Sequence, residues 1–166
     1  MKSQRKNNSR KNTSRKNKKS KKNVKRNSRT RKMKGGVSGL RKVEDIVNEI
    51  KAIETSKFTI MNQKLLGNAD NADKIGSAIA DNKNITELVI NNCAINNISA
   101  HSLFLQLRNS SVTSIDLQNN NLEGNAELIS DINDYNTLTF LKLYRNPIAK
   151  EEDYKDKMNN NGEWIL

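Results

Sequence analysis

Three stretches of this chain set their apolar residues at one unusual series of intervals. ITELVINNCAI places Ile85, Leu88, Ile90, Cys93 and Ile95 at offsets 0, 3, 5, 8 and 10. VTSIDLQNNNL does the same with Val112, Ile115, Leu117, Asn120 and Leu122, and LTFLKLYRNPI with Leu138, Leu141, Leu143, Asn146 and Ile148. The copies start 27 and then 26 residues apart, and a worn earlier copy, FTIMNQKL, fills the last four slots with Phe58, Ile60, Gln63 and Leu65. Two apolar residues separated by one residue point to the same face of a short strand. A period of this length holds one strand and one return, so a fold must stack such units rather than build one from the whole chain.

The returns read as helices. NADKIGSAIADN offers Ile75 and Ile79, SAHSLFLQLRN offers Leu103 and Leu107, and NAELISDIND offers Leu128 and Ile132, each pair four apart. Upstream, VSGLRKVEDIVNEIKAIE repeats Leu40, Val43, Ile46, Val47, Ile50 and Ile53 at helical spacing, with Ser38 as a candidate cap. The predicted architecture is α/β.

The spacing resembles the leucine-rich repeat, L-x-x-L-x-L-x-x-N/C-x-L, over residues 55–166, and its period resembles the ribonuclease-inhibitor-like class. The resemblance implies a short solenoid with parallel strands on the concave face and helices on the convex face. In such a repeat the chain turns sharply after the strand, and the side chain at offset 8 hydrogen-bonds the buried backbone of that turn. Asn does this best, and Cys substitutes as a small, weak donor. Cys93 is therefore expected to be a ladder residue and not a reactive thiol, since no nearby basic group would lower its pKa.

A solenoid exposes its core at both ends and needs caps. Residues 37–54 are expected to cap the first repeat. NPIAKEEDYKDKMNNNGEWIL resembles the C-terminal cap of intracellular families of this fold, with Tyr154-Lys155 as its Tyr-basic pair and Trp164-Ile165-Leu166 as its terminal strand, so that no further domain is expected. The resemblance also places twelve residues on the concave surface: Lys57, Thr59 and Met61; Glu87, Val89 and Asn91; Ser114, Asp116 and Gln118; Phe140, Lys142 and Tyr144. These form the candidate protein-binding face, with Phe140 and Tyr144 as its expected anchors.

Charge divides the chain. Residues 1–36 hold 17 Lys and Arg and no Asp or Glu, whereas residues 37–166 hold the other 13 basic and all 18 acidic residues, a net of −5. With only Met1, Val24 and Met33 apolar, the leader cannot offset the roughly 1–2 kcal/mol per residue that ordering costs, and it is expected to be a disordered arm. Its candidate polyanion-binding residues are Arg15, Lys16, Lys18, Lys19, Lys21, Lys22, Lys25, Arg26, Arg29, Arg31 and Lys32. Without an aromatic residue it cannot stack on bases, so its nucleic-acid binding should be electrostatic and unselective. The same composition suits a localisation signal read by an import receptor; an anionic membrane surface ranks behind both.

Gly35 and Gly36 read as a flexible joint. The Lys/Asn/Ile-rich composition and the RKMKGG junction also resemble proteins of large AT-rich DNA viruses, some of which are processed after Gly-Gly; that resemblance implies a possible cleavage before Val37.

The remaining residues argue against chemistry. One cysteine forms no intramolecular disulfide. The N-terminus lacks the apolar region of a secretory signal and no 18-residue apolar run occurs, which points to an intracellular protein in host nucleus or cytoplasm, or in a virion. His101, the one histidine, sits in a return helix with no acid or thiol beside it in sequence, and Asp116 alone makes no acid–base pair. No phosphate-cradling loop or zinc spacing is present. The chain reads as a non-catalytic interaction protein without a cofactor, its repeat face binding an unidentified protein and its arm a polyanion; the alternative is a plain adaptor whose arm is an address or a removed propeptide.

Overall fold

The computed structural model describes Gly36–Val37 and residues 41–165. The chain divides into two units, residues 1–31 and 32–166, and the described residues belong to the second. The candidate arm residues Arg15 to Lys32 and Gly35, and the candidate cap Ser38, lie outside the described residues.

This unit is α/β with a mostly parallel sheet. Six strands lie side by side in chain order: β1 (Gly36–Val37), β2 (Lys57–Met61), β3 (Glu87–Asn91), β4 (Ser114–Asp116), β5 (Phe140–Lys142) and β6 (Glu163–Trp164). The first five are mutually parallel, and β6 is antiparallel to β5. Parallel neighbours require a crossover. Helices α2 (Ala69–Asp81), α3 (Asn97–Leu107) and α4 (Ala126–Asn133) supply it between successive strands, and α1 (Val43–Ala52) lies between β1 and β2. Each helix packs on the next in order.

Register follows from the apolar spacing. Phe58, Leu88, Ile115 and Leu141 are consecutive partners across four strands, as are Ile60 and Ile90, and all are buried. They meet Ile75, Ile79, Leu103, Leu107, Leu128 and Ile132 from the helices in one core. Asn68, Asn96 and Asn125 cap α2, α3 and α4, each accepting from the backbone N–H three residues on. That arrangement satisfies a donor the helix itself leaves free.

Four local differences from the sequence expectation have physical causes. The first helix begins at Val43, with Lys42 as its N-cap, several residues later than its apolar pattern starts. Arg41 instead lies ahead of the helix, its N–H donating to Gln63 Oε1 at 3.1 Å. Gly36 and Val37 are a strand, paired with Thr59 and Ile60. In the worn first copy a 3-10 turn over Lys64–Gly67 advances the chain by one residue, so Leu66 is buried and Leu65 only half-buried.

The far end closes on β6. Trp164 pairs with Leu141 and is buried, and the Tyr154 ring lies 6.3 Å from it. The loop returning to β6 turns at Gly162, whose φ is +70°. A Cβ there would stand 2.8 Å from the Tyr144 Cα, a backbone atom that cannot step aside. We expect Gly162→Ala to destabilise the protein by about 2 kcal/mol in urea titration, from left-handed strain together with this clash.

Candidate functional site

The twelve sequence-selected residues fall on one face of the sheet as three rows crossing the strands. Lys57, Glu87, Ser114 and Phe140 are consecutive register partners, and so are Thr59, Val89, Asp116 and Lys142. Met61 pairs with Asn91, and alternation puts Gln118 and Tyr144 in the same row. All twelve are exposed or half-buried. The largest exposed apolar groups among them are Met61 at 42%, Phe140 at 36% and Tyr144 at 42%.

The polar groups of this face are largely engaged with one another. Lys57 Nζ lies 3.1 Å from Glu87 Oε2. Asp116 takes both donors of Gln118, the backbone N–H at 3.0 Å and Nε2 at 2.6 Å. A shallow depression of about 250 Å³ opens between Lys57, Glu87, Val89, Ser114, Asp116 and Phe140. Phe140 walls that depression, while Tyr144 stands four residues along the same strand direction, so the expected anchor pair is a lane rather than one pocket.

One edge of the face is a row of left-handed residues that sequence reasoning missed. Asn62, Asn92, Asn119 and Arg145, the residue before each offset-8 position, have φ between 54° and 60°. Asn tolerates this region better than most residues, and here the side chains bond across to the preceding turn: Asn92 Nδ2 donates to Asn62 Oδ1 at 2.7 Å, and Asn119 Nδ2 to Asn91 Oδ1 at 3.0 Å. The recurrent Asn before Cys93 and Asn120 carried the signal. In the last turn Arg145 occupies the slot, its guanidinium carbon 5.3 Å from the centre of the Tyr144 ring.

Beneath these turns lie the offset-8 side chains Gln63, Cys93, Asn120 and Asn146, all buried. Asn120 Oδ1 accepts from the backbone N–H of Cys93 at 2.9 Å and Ile95 at 3.2 Å, while Nδ2 donates to the Ile90 and Leu117 carbonyls at 2.8 and 2.9 Å. Asn146 repeats this one strand on, accepting from Leu122 N–H and donating to the Leu117 and Leu143 carbonyls. Cys93 Sγ takes the equivalent place, 3.2 Å from the Asn91 carbonyl. Burial pushes its thiol up to about 11, against the backbone N–H groups of Gln63 and Asn62, which lower it. Cys93 is a structural residue of the turn.

His101 corrects the sequence reading, which gave it no acidic neighbour. Its Nδ1 lies 2.9 Å from Asp131 Oδ2 and 3.7 Å from Glu127 Oε1, because α4 packs beside α3. The other Asp131 oxygen accepts from Arg108 Nη2 at 2.8 Å. This buried carboxylate is paired on both sides and ties α4 to α3. Among the described residues, no group of three or more His, Cys, Asp and Glu is arranged to hold a metal, and no helix is long and apolar enough to cross a membrane.

Comparison of the chain with protein-family models, with curated proteins and with solved structures finds no match.

Two outcomes follow from the turns. Arg145→Asn should raise stability by about 1 kcal/mol in denaturant titration, because relief of the left-handed cost exceeds loss of an exposed cation–π contact. Cys93 should resist thiol reagents in the native protein near neutral pH. Its unfolded thiol ionises before the folded one, so stability should fall as pH rises from 9 towards 11, by about 2 kcal/mol. Cys93→Asn should fold with comparable stability and show less of that decline; Tyr135, raised by burial, contributes its own part at alkaline pH.

Proposed function

We propose that this chain is a leucine-rich-repeat solenoid serving as a non-catalytic interaction module, its sheet face docking a protein and its basic leader holding a nucleic acid or another polyanion. The observation that carries the reading is the uninterrupted outward face of four parallel strands in register, Lys57 through Phe140, opposite a core that the helices cover. Strand order equal to chain order, and offset-8 side chains that bond the neighbouring turn, also support the repeat. An intracellular setting, host or virion, accords with the buried unpaired cysteine.

Within the face, the half on β2 and β3 is suited to a protein. Lys57 and Glu87 neutralise each other there, and Met61 and Val89 offer apolar surface between them and the Asn row. The reading in which the leader is removed after Gly36 meets an obstacle in the pairing of Gly36 and Val37 with β2, since a protease needs that bond free of its strand partner. We therefore favour a leader that stays attached.

The leader's role is tested by retention on duplex DNA. The full chain should bind with log K falling against log salt with a slope of about −7 if eight cations engage. A chain starting at Gly35, which keeps β1, should lose retention at low salt. Equal retention of both would exclude the leader as the polyanion-binding element.

A further inference from the structure

The half of the face on β5 has a different chemistry from the half on β2 and β3. Along one lane stand Phe140, Lys142, Tyr144 and then Arg145, an aromatic and a cation in alternation. Both rings are exposed. They stand four residues apart, Phe140 on β5 and Tyr144 in the turn that follows it. Arg145 is held left-handed by the turn and its guanidinium covers one side of the Tyr144 ring. Among the described residues, neither Lys142 nor Arg145 forms an ion pair. Two carboxylates flank Lys142 across the ladder, Asp116 on β4 and Glu163 on β6, and both are engaged otherwise. Asp116 holds Gln118, and Glu163 Oε2 accepts from Asn159 Nδ2 at 2.6 Å.

We propose that the β5 lane is a stacking platform for single-stranded nucleic acid, in which Phe140 and Tyr144 each carry a base while Lys142 meets the phosphates between them and Arg145 a phosphate beyond Tyr144. The inference rests on the reading of the leader as a polyanion-binding element. Seventeen cations without an aromatic residue supply attraction but cannot distinguish a single strand from a duplex, whose bases are already stacked. The lane supplies what the leader lacks, exposed aromatic rings on a strand and its turn beside cations. A protein ligand would use the same rings, but it gives no reason for their interleaving with cations that form no ion pair among the described residues.

The test measures binding of the full chain to fluorescein-labelled oligo-dT and to a duplex of equal length, by anisotropy at matched salt. Phe140→Ala with Tyr144→Ala should weaken oligo-dT binding by about tenfold or more and leave duplex affinity within about twofold. Phe140→Tyr with Tyr144→Phe keeps both π-faces and should bind oligo-dT like the native chain. Phe140→Leu with Tyr144→Leu keeps apolar bulk without the rings and should behave like the alanine pair, which separates stacking from a loss of fold. Oligo-dT affinity unchanged in the alanine and leucine pairs, with duplex binding retained, overturns the lane and leaves the leader reading standing. Binding of neither nucleic acid by the native chain overturns both. Capture of a protein through these rings, with no preference for the single strand, assigns the lane to the protein face instead.

Discussion

The arrangement depends on how each strand ends. After β3 and β4 the chain reverses direction within a few residues, and the amides of those turns are buried away from water. An unpaired buried N–H or carbonyl costs about 1–3 kcal/mol, so a turn of this kind needs a side chain carrying both a donor and an acceptor. Asn120 meets that need by bonding five main-chain groups on two successive turns, and Asn146 repeats the service one strand further on. Because each side chain bonds the turn before its own, the units are joined by polar contacts as well as by apolar packing. Cys93 and Gln63 show how the ladder weakens towards the first strand: a thiol makes longer, poorer bonds, and Gln63 is turned towards Arg41 and its own Met61 carbonyl.

With the turns fixed, β2 to β5 stand parallel and in register, and the outward rows follow. The outward surface is thus set by residues that are themselves buried. Its two halves differ because the outward positions are free of the constraint that makes inward ones repeat. Lys57 and Glu87 satisfy each other on one side, while on the other Lys142 and Arg145 form no ion pair among the described residues and Arg145 lies over the Tyr144 ring. Arg145 sits where the three preceding turns have Asn, in a conformation that disfavours it. Backbone strain kept at an exposed position beside an exposed ring is the kind of cost that a binding role would explain.

The sequence was most legible where burial is periodic. Leu88, Ile115 and Leu141 stand as neighbours because the same interval precedes each, and Ile75, Leu103 and Leu128 mark helices for the same reason. The structural role of Cys93 was legible too, since it occupies a slot filled elsewhere by Asn. The tie between His101, Asp131 and Arg108 was not, because residues 30 apart meet only through the packing of α3 on α4. The left-handed row escaped notice because one Asn among many carries little signal, although its recurrence just before the ladder residue was there to be read. The pairing of Gly36 and Val37 with β2 was hidden by a dipeptide that reads equally well as a joint. On the candidate face, the positions were accessible from alternation alone; which of their charges are already spent depended on rotamers and cross-strand neighbours.

Native-state amide hydrogen exchange of the full chain addresses the central claim most directly. The N–H groups of Cys93, Ile95 and Leu122 lie in turns yet donate to buried Asn side chains. They should be protected to the same degree as the strand amides of Leu88 and Ile115, and Asn120→Ala should remove protection from Cys93 and Ile95 together. Exchange of these three amides at the rate of exposed turn residues would contradict the account, because the buried Asn side chains would then not bind one turn to the next.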